Sequence, residues 1–167
     1  ATLTNRVDDY VGQFGVASGH GLSDGPPADY VDVHWTDADG VHRLAHGMEV
    51  TSVSETEVTA QNGAGDVLPD QGSSVVLGKR TRHLVGFDGD LATLVVLGCD
   101  RNAHVHFRET DTTSIHAQRL DAGEAWHWAS GQGVANPLTG DPVGEVQISN
   151  GQTTAGTLRL GVIYQSD

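Results

Sequence analysis

The chain has 167 residues, a net charge of −13 and a sequence pI near 4.8. That length is enough to bury a core without staples, and the acidic balance excludes a general nucleic-acid binder, which needs a basic footprint. The single cysteine, Cys99, excludes an internal disulfide framework and leaves only a bridge to another chain.

The kind of charge adds a second constraint. Lys79 is the only lysine among nine basic residues, and aspartate far outnumbers glutamate. Such a surface suits concentrated salt, where the Debye length falls to about 3 Å at 1 M and carboxylates cease to repel. A GC-rich genome alone also favours Asp and Arg. No run reaches the roughly 18 apolar residues of a membrane span, and the first residues lack the form of a signal peptide, so the reading is a soluble chain.

Taken in order, residues 1–29 show no sustained period. Gly12, Gly15, Gly19, Gly21 and Gly25 punctuate them and Pro26-Pro27 closes them, which predicts an extended arm with at most a short element at TNRVDDYV. From Tyr30 the signal is β. YVDVHWT alternates Val31, Val33 and Trp35 against Asp32, His34 and Thr36. Asp39-Gly40 and Asn62-Gly63 are hairpin dipeptides. LATLVVLG is apolar on both faces and predicts a strand central to a sheet or sandwich. Strands follow at AHVHFRE, TSIHAQRL, EAWHWA, VGEVQIS and TLRLGVIYQ. Eight to eleven antiparallel strands with turns every 8–12 residues predict an all-β domain over 30–167, a single jelly-roll barrel or sandwich.

The residues that could carry chemistry are histidines. In AHVHFRE, Val105 and Phe107 fall on one face and His104, His106 and Arg108 on the other. An H-x-H pair can chelate a divalent metal, and cupin enzymes use one. Gly98 stands at the cupin spacing before His104. Glu109, however, follows His106 too soon, His116 stands where the motif wants glycine, and no second motif follows. His127 or His116 would have to supply a third ligand. The favoured reading makes these imidazoles the wet face of a strand, with no metal and no cofactor. Cys99 reads as a small strand-end residue, Asp37 and Asp39 as a hairpin turn, and Lys79-Arg80-Thr81-Arg82 as a solvated basic patch. A secreted or cell-surface binding module, such as a carbohydrate-binding β-sandwich, would need exposed aromatic platforms, and Trp35, Trp126 and Trp128 all alternate inward.

RLDAGEAWHW and then PLTGDPVGEVQISNGQTTAGTLRLGVIYQSD resemble the closing strands of viral jelly-roll proteins. With the salt-adapted composition, the chain is similar to the small major capsid proteins of tailless icosahedral archaeal viruses with an internal membrane, whose capsid proteins are single vertical β-barrels. The resemblance covers about residues 91–167. It implies a non-enzymatic virion subunit that forms capsomers with copies of itself and with a second, larger jelly-roll protein, over a lipid membrane with its membrane-associated virion proteins. It carries no catalytic residue to transfer.

Overall fold

A computed structural model describes residues 1–88, 90–108, 114–133, 135–138 and 142–164. Among them there is no helix, and fourteen strands pair antiparallel throughout. The chain divides into two compact units, residues 1–80 with 151–153 and residues 81–150 with 154–167.

The first unit contains β1 (Thr2–Asp8), β2 (Val11–Gly15), β3 (Tyr30–Thr36), β4 (His42–Val53), β5 (Glu57–Gln61), β6 (Ala64–Gly65) and β7 (Val76–Lys79). They form one sheet in the order β1-β2-β5-β4-β3-β7, with β6 on β4. The segment just before β7 returns to β1: Leu3 N donates to Ser73 O, Val75 N to Ala1 O, and Thr2 bridges Ser74. The sheet therefore closes on itself, which removes the open edges that invite stray pairing. Leu3, Phe14, Val31, Val33, Met48 and Val58 fill its interior and are fully buried.

The expected arm over 1–29 is corrected by this closure. Leu3 and Phe14 are core residues, and β1 and β2 are a paired hairpin. Register shifts after Leu3 and after Arg6 break the alternation of β1, so no period is visible in its sequence. The following segment is tied down as well. Leu22 packs against the core, and Asp29 accepts from Lys79 Nζ at 2.8 Å.

The second unit contains β8 (Thr81–Phe87), β9 (Ala92–Cys99), β10 (Ala103–Arg108), β11 (Ser114–Leu120), β12 (Ala125–Ala129), β13 (Val143–Asn150) and β14 (Leu158–Tyr164). Two sheets, β11-β10-β13-β8 and β12-β9-β14, share one core of Val95, Leu97, Val105, Phe107, Leu120 and Trp128. This is a β-sandwich. The all-β expectation holds, but the single domain over 30–167 gives way to two units, and that range contains twelve strands, β3 to β14, where eight to eleven were expected. The change falls between Arg80 and Thr81, where β7 ends and β8 begins with new hydrogen-bond partners.

Turn chemistry follows the sequence closely. Asp37 Oδ1 accepts the backbone N–H of Asp39 and of Val41, so that aspartate builds the β3–β4 hairpin. Gly40 in that turn has φ +80 and Asn62 has φ +60, the left-handed region that glycine and asparagine tolerate best. Between β3 and β4, Asp32 stands opposite two residues, His46 and Gly47. Gly47, at φ +70, supplies the left-handed residue of a β-bulge.

Candidate functional site

The histidine pair lies on β10 as the alternation predicts, on the face opposite Val105 and Phe107. Its expected exposure is corrected. His104 and His106 are 4% and 5% exposed, and Ser149 and Glu145 on the same face of neighbouring β13 are 0% and 1% exposed. Alternation assigns a face without saying whether that face meets water. Here β10 is paired on both edges, by β11 and β13, and its histidine face is buried as well.

The two rings bond to one another. His106 Nε2 and His104 Nδ1 are 2.9 Å apart and share one hydrogen bond, the rings tilted by 73° with centroids 4.1 Å apart. Beside them, Glu145 pairs with Arg82 Nε and, at 3.5 Å, with Arg108 Nη1, while Gln147 Nε2 donates to its Oε1 at 2.9 Å. Two guanidinium groups and an amide thus hold one buried carboxylate, the condition under which a buried charge is tolerated. Glu145 was legible only as a strand residue. Its signal is the polar alternation Glu145, Gln147, Ser149 within VGEVQISN.

The other proposed ligands are not brought to this pair. His116 stands opposite Phe107 across the β10–β11 ladder, on the core face of the sheet, with its ring 5.3 Å from that of Trp126 and 6.2 Å from Phe107. His127 is exposed on the outer face of the other sheet, opposite Val96. Glu109 lies outside the described residues. Cys99 is half-buried against the sandwich core, Trp126 and Trp128 face the same core and Trp35 packs on the barrel core. The basic patch is solvated in part and paired throughout: Lys79 with Asp29, Arg80 with Asp32 and Arg82 with Glu145, with only Arg80 largely covered.

His116 gives a pH prediction. Burial holds its pKa below the usual 6.5, opposed by a hydrogen bond with Gln118, and its Nε2 is buried without a partner. The unfolded chain therefore binds a proton that the folded chain refuses. Its contribution to stability is complete above pH 6.5 and declines as pH falls from there toward the lowered value. His116→Phe keeps an aromatic ring against Trp126 and removes that proton. Denaturant unfolding at pH 7.5 and 5.5 should show a smaller loss on acidification in the variant than in the native chain.

The outer face of the β12-β9-β14 sheet is of another kind. The strands AWHWA, ATLVVLGC and LRLGVIY contain no aspartate or glutamate, although the chain carries 22. The pairing sets Val96 between His127 and Gly161, and Leu94 between Ala129 and Ile163. Val96 is 38% and Ile163 56% exposed. A Cβ on Gly161 would meet nothing within 4 Å, so the floor between the larger side chains is flat and open.

Comparison with known proteins adds no assignment: the chain matches no family model, no curated protein and no solved structure.

Proposed function

We propose that this chain is a structural virion protein, a capsid subunit of an icosahedral archaeal virus that forms capsomers with copies of itself and with a second, larger subunit of the same kind. The observation that carries the reading is the acid-free outer face of the β12-β9-β14 sheet. In a chain of net charge −13, most faces repel a like neighbour, and this one presents apolar side chains without like charge. A subunit contact covering it buries Val96, Leu94 and Ile163 and desolvates only one charge on the three strands, Arg159.

Further features support a building role. The first unit closes its sheet, so that unit leaves few strand edges for accidental pairing. The carboxylate-rich remainder suits molar salt, where screening lets acidic subunits approach. A cupin-type enzyme is less well supported, because His104 and His106, His116 and His127 occupy three separate surfaces of the sandwich.

Sedimentation of the purified chain, alone and with the larger subunit, tests this reading. Trimers, hexamer-like capsomers or mixed oligomers are expected in molar potassium chloride. A strict monomer across concentration and salt, with the larger subunit present, overturns it.

A further inference from the structure

The first unit has a cleft of about 690 Å³ that the assembly role does not use. Its volume falls within the range of small-molecule sites, about 300–1,000 Å³. Its working groups are Trp35, Arg6, Arg43, Asp37, Asp66 and Asp70, brought together by β1, the β3–β4 hairpin and the segment leading to β7.

The polar groups alternate in sign around the indole. Arg43 Nε donates to Asp37 Oδ2 at 2.8 Å, and its Nη1 stands 4.0 Å from Asp66 Oδ1. Arg6 Nη2 pairs with Asp9 at 2.7 Å, while its Nη1 stands 4.0 Å from Asp70 Oδ1. Arg6 Nε is buried without any acceptor. At 4.0 Å a donor and an acceptor lie side by side without bonding to each other. A hydroxyl fits such a pair, because it accepts from the guanidinium and donates to the carboxylate.

Charge narrows the class of ligand. Three carboxylates repel a phosphate or a uronate, and two guanidinium groups repel a metal ion or an amine. A neutral molecule rich in hydroxyls meets neither objection. Its apolar C–H face needs an aromatic surface, and half-buried Trp35 is the aromatic side chain in the lining. We infer that this cleft binds a neutral carbohydrate, with Trp35 under the sugar ring and the Arg6–Asp70 and Arg43–Asp66 pairs bonding its hydroxyls. The site stands whether or not the chain builds a capsid. The hydrogen bond from Arg43 also holds the Asp37 carboxyl below its usual pKa, so that acceptor remains ionised across the neutral range.

An array of neutral and acidic oligosaccharides, probed with the full chain in molar potassium chloride, tests the inference. Each sugar retained is then titrated by isothermal calorimetry. Neutral oligosaccharides should be retained. Trp35→Phe and Asp70→Ala should each weaken binding about tenfold or more, the loss expected for one ring contact or one charged hydrogen bond. Trp35 packs against the barrel core, so its variant carries a folding risk. Asp70, with its side chain 99% exposed, carries none and keeps the test decisive. Retention of acidic sugars only, retention of none, or unchanged binding by Asp70→Ala and Trp35→Phe alike overturns the inference.

Discussion

Replacing Asp32 with alanine should destabilise the first unit by about 3–5 kcal/mol, the usual result of removing one partner from a buried ion pair. Asp32 is fully buried, and its Oδ1 accepts three bonds. Arg80 donates through Nε at 3.0 Å and Nη2 at 2.8 Å, and the Gly47 backbone N–H donates at 2.7 Å. The carboxylate therefore serves two purposes, neutralising a guanidinium whose side chain is only 15% exposed and satisfying the N–H that the bulge takes out of the ladder. Alanine leaves all three N–H groups without this acceptor. Denaturant unfolding in molar potassium chloride measures the cost. A loss below about 1 kcal/mol, the range of a surface pair, would show that water reaches Arg80 and that the pair contributes little.

Replacing Val96 with aspartate should dissociate the proposed capsomers while leaving the sandwich folded. Val96 sits at the centre of its face, between His127 and Gly161, and at 38% exposure its side chain is not part of the core. A carboxylate is therefore tolerated in the free subunit, as surface substitutions usually are. Against a second subunit it must be desolvated without a partner. Association should weaken by about 2–4 kcal/mol, roughly 30- to 700-fold, the size of a central interface position. Val7→Asp supplies the control, since Val7 is 60% exposed on β1 of the first unit and belongs to a different sheet from the acid-free strands. Sedimentation should show oligomers for native chain and Val7→Asp and monomers for Val96→Asp. Capsomers that survive Val96→Asp would place the subunit contact elsewhere.

Much of the fold was legible because most strands keep strict alternation. Val31 and Val33 point to the barrel core and Val105 and Phe107 to the sandwich core, as their patterns require. The double-faced apolar pattern of LATLVVLG also had its expected place, since β9 is the middle strand of its sheet. Its outward side, however, is left partly exposed among the described residues, with Val96 at 38%, which periodicity cannot reveal. The β1–β2 hairpin was missed because bulges displace Val7 from the face that Leu3 occupies. The division at Arg80 was missed because one residue separates β7 from β8, leaving no linker composition to read.

The candidate sites were less legible for a simple reason. The histidine pair was placed on the right face and given the wrong solvent, because burial is decided by segments far away in the chain. The cleft around Trp35 draws on Arg6, Arg43 and Asp66–Asp70, which no motif connects. Only the closure of the sheet, through Leu3 and Ser73, brings them to one rim.

The bare apolar side of β9 bears on how the protein must be handled. Among the described residues nothing covers that side, and concentrated salt strengthens the tendency of such surfaces to adhere. On the proposed assembly, the chain expressed alone covers that side only by meeting copies of itself, so its oligomers should spread in size with concentration, and co-expression with the proposed second subunit should narrow them. What looks like heterogeneity in the isolated protein would then be its means of construction.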